Sequence, residues 1–200
     1  MKDIEWDKLL NIKTTGRDDT DSDTYRYPYE PTPYSVLERL ANEGLVGKCN
    51  TLLDYGCGKG RVDIFMSYQT KCKSIGIEYI ERICNRAIDN KNGYRGGAKV
   101  EFVCTDALEY KVPKEVDRIF FFNPFSVELL HGVINNILTS YYENPREILL
   151  FFYYPSDDYI AALMQENVLE FYDEIDCRDL FDAVDERERV MIFRMDYAKA

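Results

Sequence analysis

The sequence predicts an α/β fold in which helices cover both faces of a doubly wound, mainly parallel sheet of seven strands. From residue 51 onward, short runs rich in Val, Ile, Leu and Phe alternate with segments whose apolar residues recur at the period of a helix. The first five runs contain few polar residues, which is typical of strands buried on both faces. In such folds, ligands bind at the carboxyl ends of the strands.

Each strand is predicted from an apolar run, and each helix from a helical stripe. The strands are expected at residues 51–54, 74–78, 100–104, 119–122, 148–154, 169–175 and 190–193. The last two look like a half-exposed antiparallel pair, so the final strand should run against the parallel five. Helices are expected from residue 34 to Gly44, after residue 60, near 80–88, over 127–138 and over 159–167.

Residues 1–33 are predicted to be an extension that is flexible or forms a lid, and residues 34–200 to be the domain. Residues 1–24 are polar and rich in Asp and Thr. Residues 25–33 read YRYPYEPTP, a composition that favours a stiff, extended segment with large aromatic faces. This segment could cover a bound ligand and exclude water, or it could pack as an ordinary edge of the domain.

Composition limits the partners that we expect. The chain has 25 Lys and Arg against 36 Asp and Glu, a net charge of −11, so general affinity for nucleic acid is not expected without a local basic patch. The six cysteines form no C-x-x-C pair, which favours packed thiols in a reducing cytoplasm and no zinc or other metal. No export signal or membrane span is predicted.

A glycine-rich loop follows the first predicted strand. Residues 52–60 read LLDYGCGKG, so the strand ends at Asp54, and Gly56, Gly58 and Gly60 alternate before the next helix. Glycines here allow a sharp turn and let a ligand approach the backbone amides. A tight turn without a ligand is the alternative, which three alternating glycines disfavour. The dinucleotide fingerprint does not fit, because it needs glycine at position 61, where Arg61 stands.

The order D-x-G-x-G-x-G resembles motif I of the class I S-adenosylmethionine-dependent methyltransferases. The strand and helix order over roughly four fifths of the chain is similar to their Rossmann-like, seven-stranded fold. The resemblance implies that residues 34–200 form such a domain and that S-adenosylmethionine is the cofactor. It also implies that Asp54, Gly56, Gly58 and Gly60 bind that cofactor.

Two further acidic residues stand where this family would need them. Glu78 ends the second predicted strand, 18 residues after Gly60, and its carboxylate could accept hydrogen bonds from both ribose hydroxyls. It could instead provide a charge at the start of the next helix. Asp106 matches the family position that meets the adenine amine, with the backbone of Ala107 beside the ring, although such an Asp is commonly a cap or turn residue.

The fourth predicted strand ends in FFNPF, which is similar to the N-P-P-aromatic motif of methyltransferases that modify planar amine or amide nitrogens. By that resemblance, Asn123 and Pro124 hold the target NH2 and Phe125 offers a stacking face. Phe125 stands where the second proline would be, and Ser126 where the aromatic would be. The alternative is that Asn123 caps the following helix and Pro124 occupies its first position.

The predicted function is therefore methylation of a nitrogen on a protein, nucleobase or small metabolite. Methyl transfer from a sulfonium is a direct displacement, which needs binding, alignment and desolvation rather than a metal or covalent nucleophile. One alternative keeps the cofactor but places the methyl group on oxygen or carbon of a small molecule. Another is a non-catalytic module that binds S-adenosylmethionine. The sequence identifies the donor and neither the acceptor nor an oligomeric state.

Overall fold

A computed structural model describes residues 1–18, 29–97, 99–183 and 185–195. In these residues, seven strands form one sheet in the order β3-β2-β1-β4-β5-β7-β6. The strands are β1 Thr51–Tyr55, β2 Lys73–Glu78, β3 Val100–Cys104, β4 Arg118–Phe121, β5 Ile148–Tyr153, β6 Leu169–Asp176 and β7 Arg189–Met195. The helices are α1 Asp3–Leu10, α2 Tyr34–Asn42, α3 Arg61–Thr70, α4 Glu81–Gly93, α5 Val127–Glu143 and α6 Asp157–Gln165.

The sheet has the predicted topology. Strands β1 to β5 are parallel, and β7 runs antiparallel to both β5 and β6. The predicted fold is therefore confirmed, with β7 alone running against the others. One detail differs from a terminal antiparallel pair, because β7 inserts between β5 and β6. Its side chains Val190, Ile192 and Phe193 are buried, whereas the edge strand β6 exposes Phe171 and Tyr172.

Two apolar cores lie on the two faces of the sheet. One core joins α2 and α3 to the sheet around Leu37, Phe65 and Phe151. The other joins α5 and α6 to it around Ile137 and Phe152. Strand β3 is less buried than its apolar run predicts, because it is an edge strand of the sheet. This arrangement places the carboxyl ends of β1, β2 and β4 side by side.

The N-terminal residues differ from the flexible segment that their polar composition predicts. Trp6 and Leu10 of α1 are buried, and the indole of Trp6 packs against the rings of Tyr34 and Phe65. Buried Asp7 accepts hydrogen bonds from the backbone N–H groups and hydroxyls of residues 14 and 15. This part of the extension therefore packs as part of the domain. Residues 25–28 of the predicted lid lie outside the described residues, and the lid stays a prediction.

Two cysteines depart from the expected packed thiols. Cys84 of α4 and Cys104 at the end of β3 form a disulfide across 20 residues of sequence. The sequence contains no C-x-x-C pair, but α4 packs against β3 and thereby brings the two side chains together. Cys49, Cys57, Cys72 and Cys177 are free thiols. None of the helices in the described ranges has the length and apolar character that crossing a membrane requires.

Candidate functional site

A cleft lies at the carboxyl ends of the central strands. It lies between residues 29–32, the glycine loop and the loops that follow β2, β3 and β4, and part of it is open to solvent. Eight of the ten predicted site residues line it: Asp54, Gly56, Glu78, Asp106, Ala107, Asn123, Pro124 and Phe125. The fold thus brings together residues that span 72 positions of the sequence.

The glycine loop is tightly enclosed by protein. All three glycines have positive φ, at +75° for Gly56, +56° for Gly58 and +78° for Gly60. A Cβ at Gly58 would lie 2.1 Å from the ring of Tyr29, and one at Gly60 would lie 2.3 Å from the ring of Phe102. Gly58 and Gly60 are therefore not among the residues that line the cleft. Their lack of a side chain serves the packing of the loop.

Glu78 connects the glycine loop to the end of β2. Its Oε2 accepts a hydrogen bond from the backbone N–H of Gly58 at 3.0 Å, and its Oε1 accepts one from Ile80 at 2.9 Å. Ile80 is the N-cap residue of α4, so the helix-terminal interpretation also fits. A carboxylate has about four lone-pair positions, so both oxygens retain capacity for ligand hydroxyls. Burial raises the pKa of Glu78 despite these backbone donors.

A pair of buried carboxyl groups lies beside the loop. Asp54 and Asp63 of α3 are both buried, and Asp63 Oδ1 accepts a hydrogen bond from the hydroxyl of Ser74 at 2.6 Å. Burial raises the pKa of both carboxyls, that of Asp63 to about 7, and the charge of Asp63 adds to the shift at Asp54. Because the charge of Asp63 raises the pKa of Asp54, the two carboxyl groups together favour retention of one proton. Sequence reasoning missed Asp63, whose only signal is a carboxylate inside an apolar helical segment.

We expect Asp63→Asn to stabilise the protein at pH 8 by about 1 to 3 kcal/mol, because Asn is neutral at every pH. The raised pKa of Asp63 means that the folded wild type holds a proton that the unfolded chain releases above about pH 4. Wild-type stability should therefore fall as the pH rises from about 4 toward 7, and the variant should lack this loss. Urea denaturation at pH 5 and pH 8 measures the difference.

The matched control for this prediction is Asp89→Asn, on the exposed face of α4. It removes the same charge from the surface and should change the free energy of unfolding by less than about 0.5 kcal/mol. An Asp63→Asn variant that is less stable than the wild type at pH 8 would contradict the expectation that the charge of Asp63 lowers the free energy of unfolding.

Asn123 lies in a strained loop between β4 and α5. Its φ is +40°, and its Nδ2 donates a hydrogen bond to the backbone carbonyl of Tyr154 at 2.6 Å. Tyr154 itself has a φ of +53°. Left-handed conformations in residues other than glycine cost about 1 to 3 kcal/mol each and cluster at functional sites. The bond fixes the amide, with its oxygen available as an acceptor.

The helix-cap alternative for this loop is excluded. Helix α5 begins at Val127, and its N-cap residue is Ser126. Asn123 therefore lies three residues before the cap, and Pro124 is not the first helical residue. Instead, Pro124 packs against the glycine loop, since a Cβ at Gly56 would lie 2.5 Å from its Cβ.

Phe125 is placed differently from the expectation. It is 4% exposed, and its ring packs edge-on against the rings of Tyr55 and Phe121. Little of the expected stacking face is therefore available. Half-buried Phe122, which sequence reasoning passed over, instead lines the cleft and a second cleft beside it. The alternation of side chains along β4 could have indicated that neighbouring aromatics face opposite directions.

Asp106 and Ala107 follow β3 at the far side of the cleft. Asp106 Oδ1 accepts a hydrogen bond from the backbone N–H of Leu108 at 2.9 Å, so the predicted turn role is present. The same residue lines the cleft, so the turn role and contact with a ligand are compatible.

Residues 29–32 cover part of the cleft. The ring of Tyr29 lies over Gly58, and its hydroxyl donates to the carbonyl of Thr14 at 2.6 Å. The ammonium of Lys59 lies 4.5 Å from the centre of that ring. The described part of the predicted lid therefore rests on the glycine loop and is tied to the N-terminal segment.

Comparison with known sequences gives one partial match to a curated protein. No family model matches the sequence. A protein-lysine N-methyltransferase of Saccharolobus islandicus is 33% identical over 76 residues, which are 36% of this chain and 47% of that protein. This chain therefore matches about half the length of that curated relative.

Solved structures extend the comparison to most of the chain. A TehB-like S-adenosylmethionine-dependent methyltransferase of Corynebacterium glutamicum matches with a TM-score of 0.55 at 15% identity, over 96% of this chain and 95% of that one. An RNA methyltransferase of Salinibacter ruber, in complex with S-adenosyl-L-homocysteine, matches with 0.53 at 19% identity, over 83% and 92%. The chain has the class I methyltransferase fold.

Proposed function

We propose that this chain binds S-adenosylmethionine in the cleft and transfers its methyl group to a nitrogen atom of an acceptor. The observation that carries the proposal is the convergence of Glu78 and Asn123 on one cleft beside the glycine loop. Glu78 would bind the ribose hydroxyls, and Asp106 with Ala107 would bind the adenine. Bound S-adenosylmethionine would supply an electrophilic methyl group, and the protein would align the acceptor with it.

The acceptor side of the proposal rests on Asn123. Its NH2 group is occupied by the carbonyl of Tyr154, so its oxygen is left to accept a hydrogen bond from a target N–H. A carbon acceptor has no such donor, whereas a hydroxyl could donate its O–H, so the preference for nitrogen over oxygen rests on the motif and on the curated relative. The curated relative is named a protein-lysine N-methyltransferase, which supports an amine nitrogen of a protein as the acceptor class.

The second cleft is the proposed entrance for the acceptor. It meets the cofactor cleft at Phe122 and Asn123, and its other walls include Tyr153, Tyr154 and Glu188. The hydroxyl of Tyr153 donates to Glu188 at 2.6 Å. Arg17 and Arg187 also line this cleft, and the guanidinium of Arg187 lies 4.1 Å from the ring centre of Tyr154. The parts of the cleft that would attract a cationic amine are therefore the rings of Phe122 and Tyr153 and the carboxylates of Glu30 and Glu188. Such an amine would have to lose a proton before its lone pair could attack the methyl group.

We expect Glu78→Gln to weaken binding of S-adenosylhomocysteine by about 10- to 100-fold, the usual effect of losing a charge-assisted hydrogen bond. Gln retains one acceptor oxygen, so it can keep only one of the two backbone hydrogen bonds that Glu78 accepts, and circular dichroism and the melting temperature check that the variant stays folded. Isothermal titration calorimetry measures the affinity. Glu81→Gln, an exposed residue in the first turn of α4, is the control and should bind like the wild type. Equal affinities of Glu78→Gln and the wild type would exclude the ribose role.

Transfer of a tritiated methyl group into a cell extract tests the acceptor. Label that is precipitated by acid and released by protease would support a protein as the acceptor. Label that is released by nuclease would show that the acceptor is a nucleic acid, and label in small molecules would show a small-molecule acceptor. Either result would contradict a protein acceptor. Cofactor binding without any transfer would favour the non-catalytic module.

We expect no measurable affinity for duplex DNA or RNA at physiological salt. The net charge is −11, and in a third cleft the basic residues Lys13, Lys59, Arg82 and Arg86 stand with Asp18 and Asp89. A protein that binds duplex typically contacts about 6 to 10 phosphates. Fluorescence anisotropy with a labelled duplex measures this. Sub-micromolar, sequence-independent binding would make nucleic acid the first acceptor to test.

A further inference from the structure

The third cleft has a net positive charge, although the chain as a whole has a net charge of −11. Its charged residues are four cations and two carboxylates: Lys13, Lys59, Arg82, Arg86, Asp18 and Asp89. Four cations in one cleft repel one another, which costs free energy unless anions compensate them. The cleft adjoins the cofactor cleft, since Ile83 lines both, but the proposed methyl transfer makes no use of these cations.

Three segments of the chain bring the cations together. Arg82, Arg86 and Asn90 follow one another at intervals of four residues along α4, so they lie on one face of the helix. Asn90 is buried; its Oδ1 accepts a hydrogen bond from the backbone N–H of Lys13 at 2.8 Å, and its Nδ2 donates one to the carbonyl of Lys59 at 2.8 Å. The N-terminal segment and the glycine loop are therefore both fixed against α4 by one buried side chain.

The carboxylates of the cleft compensate only part of this positive charge. The guanidinium of Arg82 donates to both carboxylate oxygens of Asp18, at 2.8 and 3.1 Å, so these two charges compensate each other. The ion pairs within the described residues include neither Lys13 nor Arg86. Asp89 is the remaining carboxylate of the cleft.

Lys59 shows the effect of this crowding. Burial lowers the pKa of its ammonium group, and the charges of Arg86 and Arg82 lower it further, although Asp18 opposes the shift. Its Nζ donates a hydrogen bond to the carbonyl of Gly16 at 3.3 Å, which is an uncharged acceptor. An anion in the cleft would therefore stabilise the charged form of Lys59.

We propose that the third cleft binds a phosphate group of a small ligand. The guanidinium of Arg86 can donate two parallel hydrogen bonds to phosphate oxygens, and the ammonium groups of Lys13 and Lys59 add charge from the facing segments. Four cations and two carboxylates leave a net charge of +2, which matches a phosphate dianion. The proposal does not depend on methyl transfer, and neither the motifs nor the comparisons assign a ligand to this cleft.

A small ligand suits the cleft better than a nucleic acid does. A polynucleotide carries further phosphates on both sides of any bound one, and proteins that bind duplex contact about 6 to 10 of them. The carboxylates of Asp18 and Asp89 stand in the cleft itself, and the net negative charge of the chain repels phosphates around it.

Calorimetry with pyrophosphate tests the proposal on the full chain. At about 0.15 M sodium chloride, which screens weak surface attraction, the wild type should bind one pyrophosphate per chain with a Kd below about 1 mM. Arg86→Gln and Lys13→Gln should each weaken this binding by at least about fivefold, because each removes a charge-assisted hydrogen bond to phosphate. Asp89→Asn should strengthen it by about twofold or more, because it removes a carboxylate that repels the ligand.

Lys91→Gln is the matched control. It removes the same charge from an exposed position in the last turn of α4, outside the cleft, and should bind pyrophosphate within about twofold of the wild type. Lys13, Arg86 and Asp89 are also exposed, so their variants should stay folded, which circular dichroism and the melting temperature check.

Absence of saturable binding by the wild type at up to about 10 mM pyrophosphate would overturn the proposal. Equal affinities of the wild type, Arg86→Gln and Lys13→Gln would also overturn it, because the anion would then bind elsewhere. A single-stranded oligonucleotide that binds at least about 10-fold more tightly than pyrophosphate, and loses affinity in the same variants, would show that the cleft contacts nucleic acid instead. Loss of S-adenosylhomocysteine binding with retained pyrophosphate binding would contradict the proposed function alone.

Discussion

Asn123→Ala is expected to lower turnover by about 100-fold or more while leaving the affinity for S-adenosylhomocysteine within about twofold. The side-chain oxygen of Asn123 is the proposed acceptor for the target N–H, and removing an orienting group costs rate rather than donor binding. The change also breaks the hydrogen bond to Tyr154 and places alanine at a φ of +40°. A loss of about 1 to 2 kcal/mol of stability should accompany it.

Asn123→Gly separates these two effects. Glycine adopts positive φ without strain, so this variant removes the side chain while relieving the backbone. The proposed role predicts that Ala and Gly variants lose the same activity per folded molecule. Turnover, melting temperature and cofactor affinity are measured on both. A Gly variant with wild-type turnover would contradict the acceptor role and, with it, the preference for nitrogen.

Gly58→Val is expected to reduce cofactor binding by at least about 100-fold. The expected cause of this loss is a clash within the protein, since a Cβ at Gly58 would lie 2.1 Å from the ring of Tyr29. A β-branched residue at a φ of +56° adds backbone strain. The loop and its cover would have to move apart, and the N–H that Gly58 donates to Glu78 would move with them.

Gly44→Val is the matched control for this substitution. Gly44 also has positive φ, at +74°, but a Cβ there would meet no atom within 4 Å. Both variants should retain the circular dichroism of a folded α/β protein, and both should lose some stability through backbone strain. Only Gly58→Val should lose affinity in calorimetry. Wild-type affinity in Gly58→Val would show that the loop does not need its close contact with Tyr29.

The sheet could be predicted because its strands have strong local signals. The five parallel strands carry continuous apolar runs, whereas β6 shows alternating apolar residues and β7 a short apolar run, and these signals placed all seven strands within a few residues. Strands β4 and β5 each end one residue earlier than predicted, near Asn123 and Tyr154, whose left-handed conformations end the extended backbone. Local sequence carries no signal for such strain, because it depends on the hydrogen bond between the two loops.

The placement of candidate residues around the cleft could be predicted where a sequence motif marks them, and not where it depends on contacts between distant segments. Asp54, Glu78 and Asn123 follow directly from strand ends and loop patterns. Arg61 and Asp63 lie in an ordinary helix, and their burial depends on contacts with other segments of the chain. The ordered packing of α1 likewise depends on long-range contacts, such as that of Trp6 with Phe65.

The proposed binding of S-adenosylmethionine in the cleft is tested most directly by calorimetry. The wild type is titrated with S-adenosylhomocysteine, S-adenosylmethionine and a nicotinamide dinucleotide. Arg61 occupies the position where a dinucleotide site needs glycine, and Glu78 stands beside the loop at the end of β2. We therefore expect saturable, one-to-one binding of both sulfur ligands and none of the dinucleotide. Tight binding of the dinucleotide, with no binding of either sulfur ligand, would contradict the proposal that the cleft binds S-adenosylmethionine.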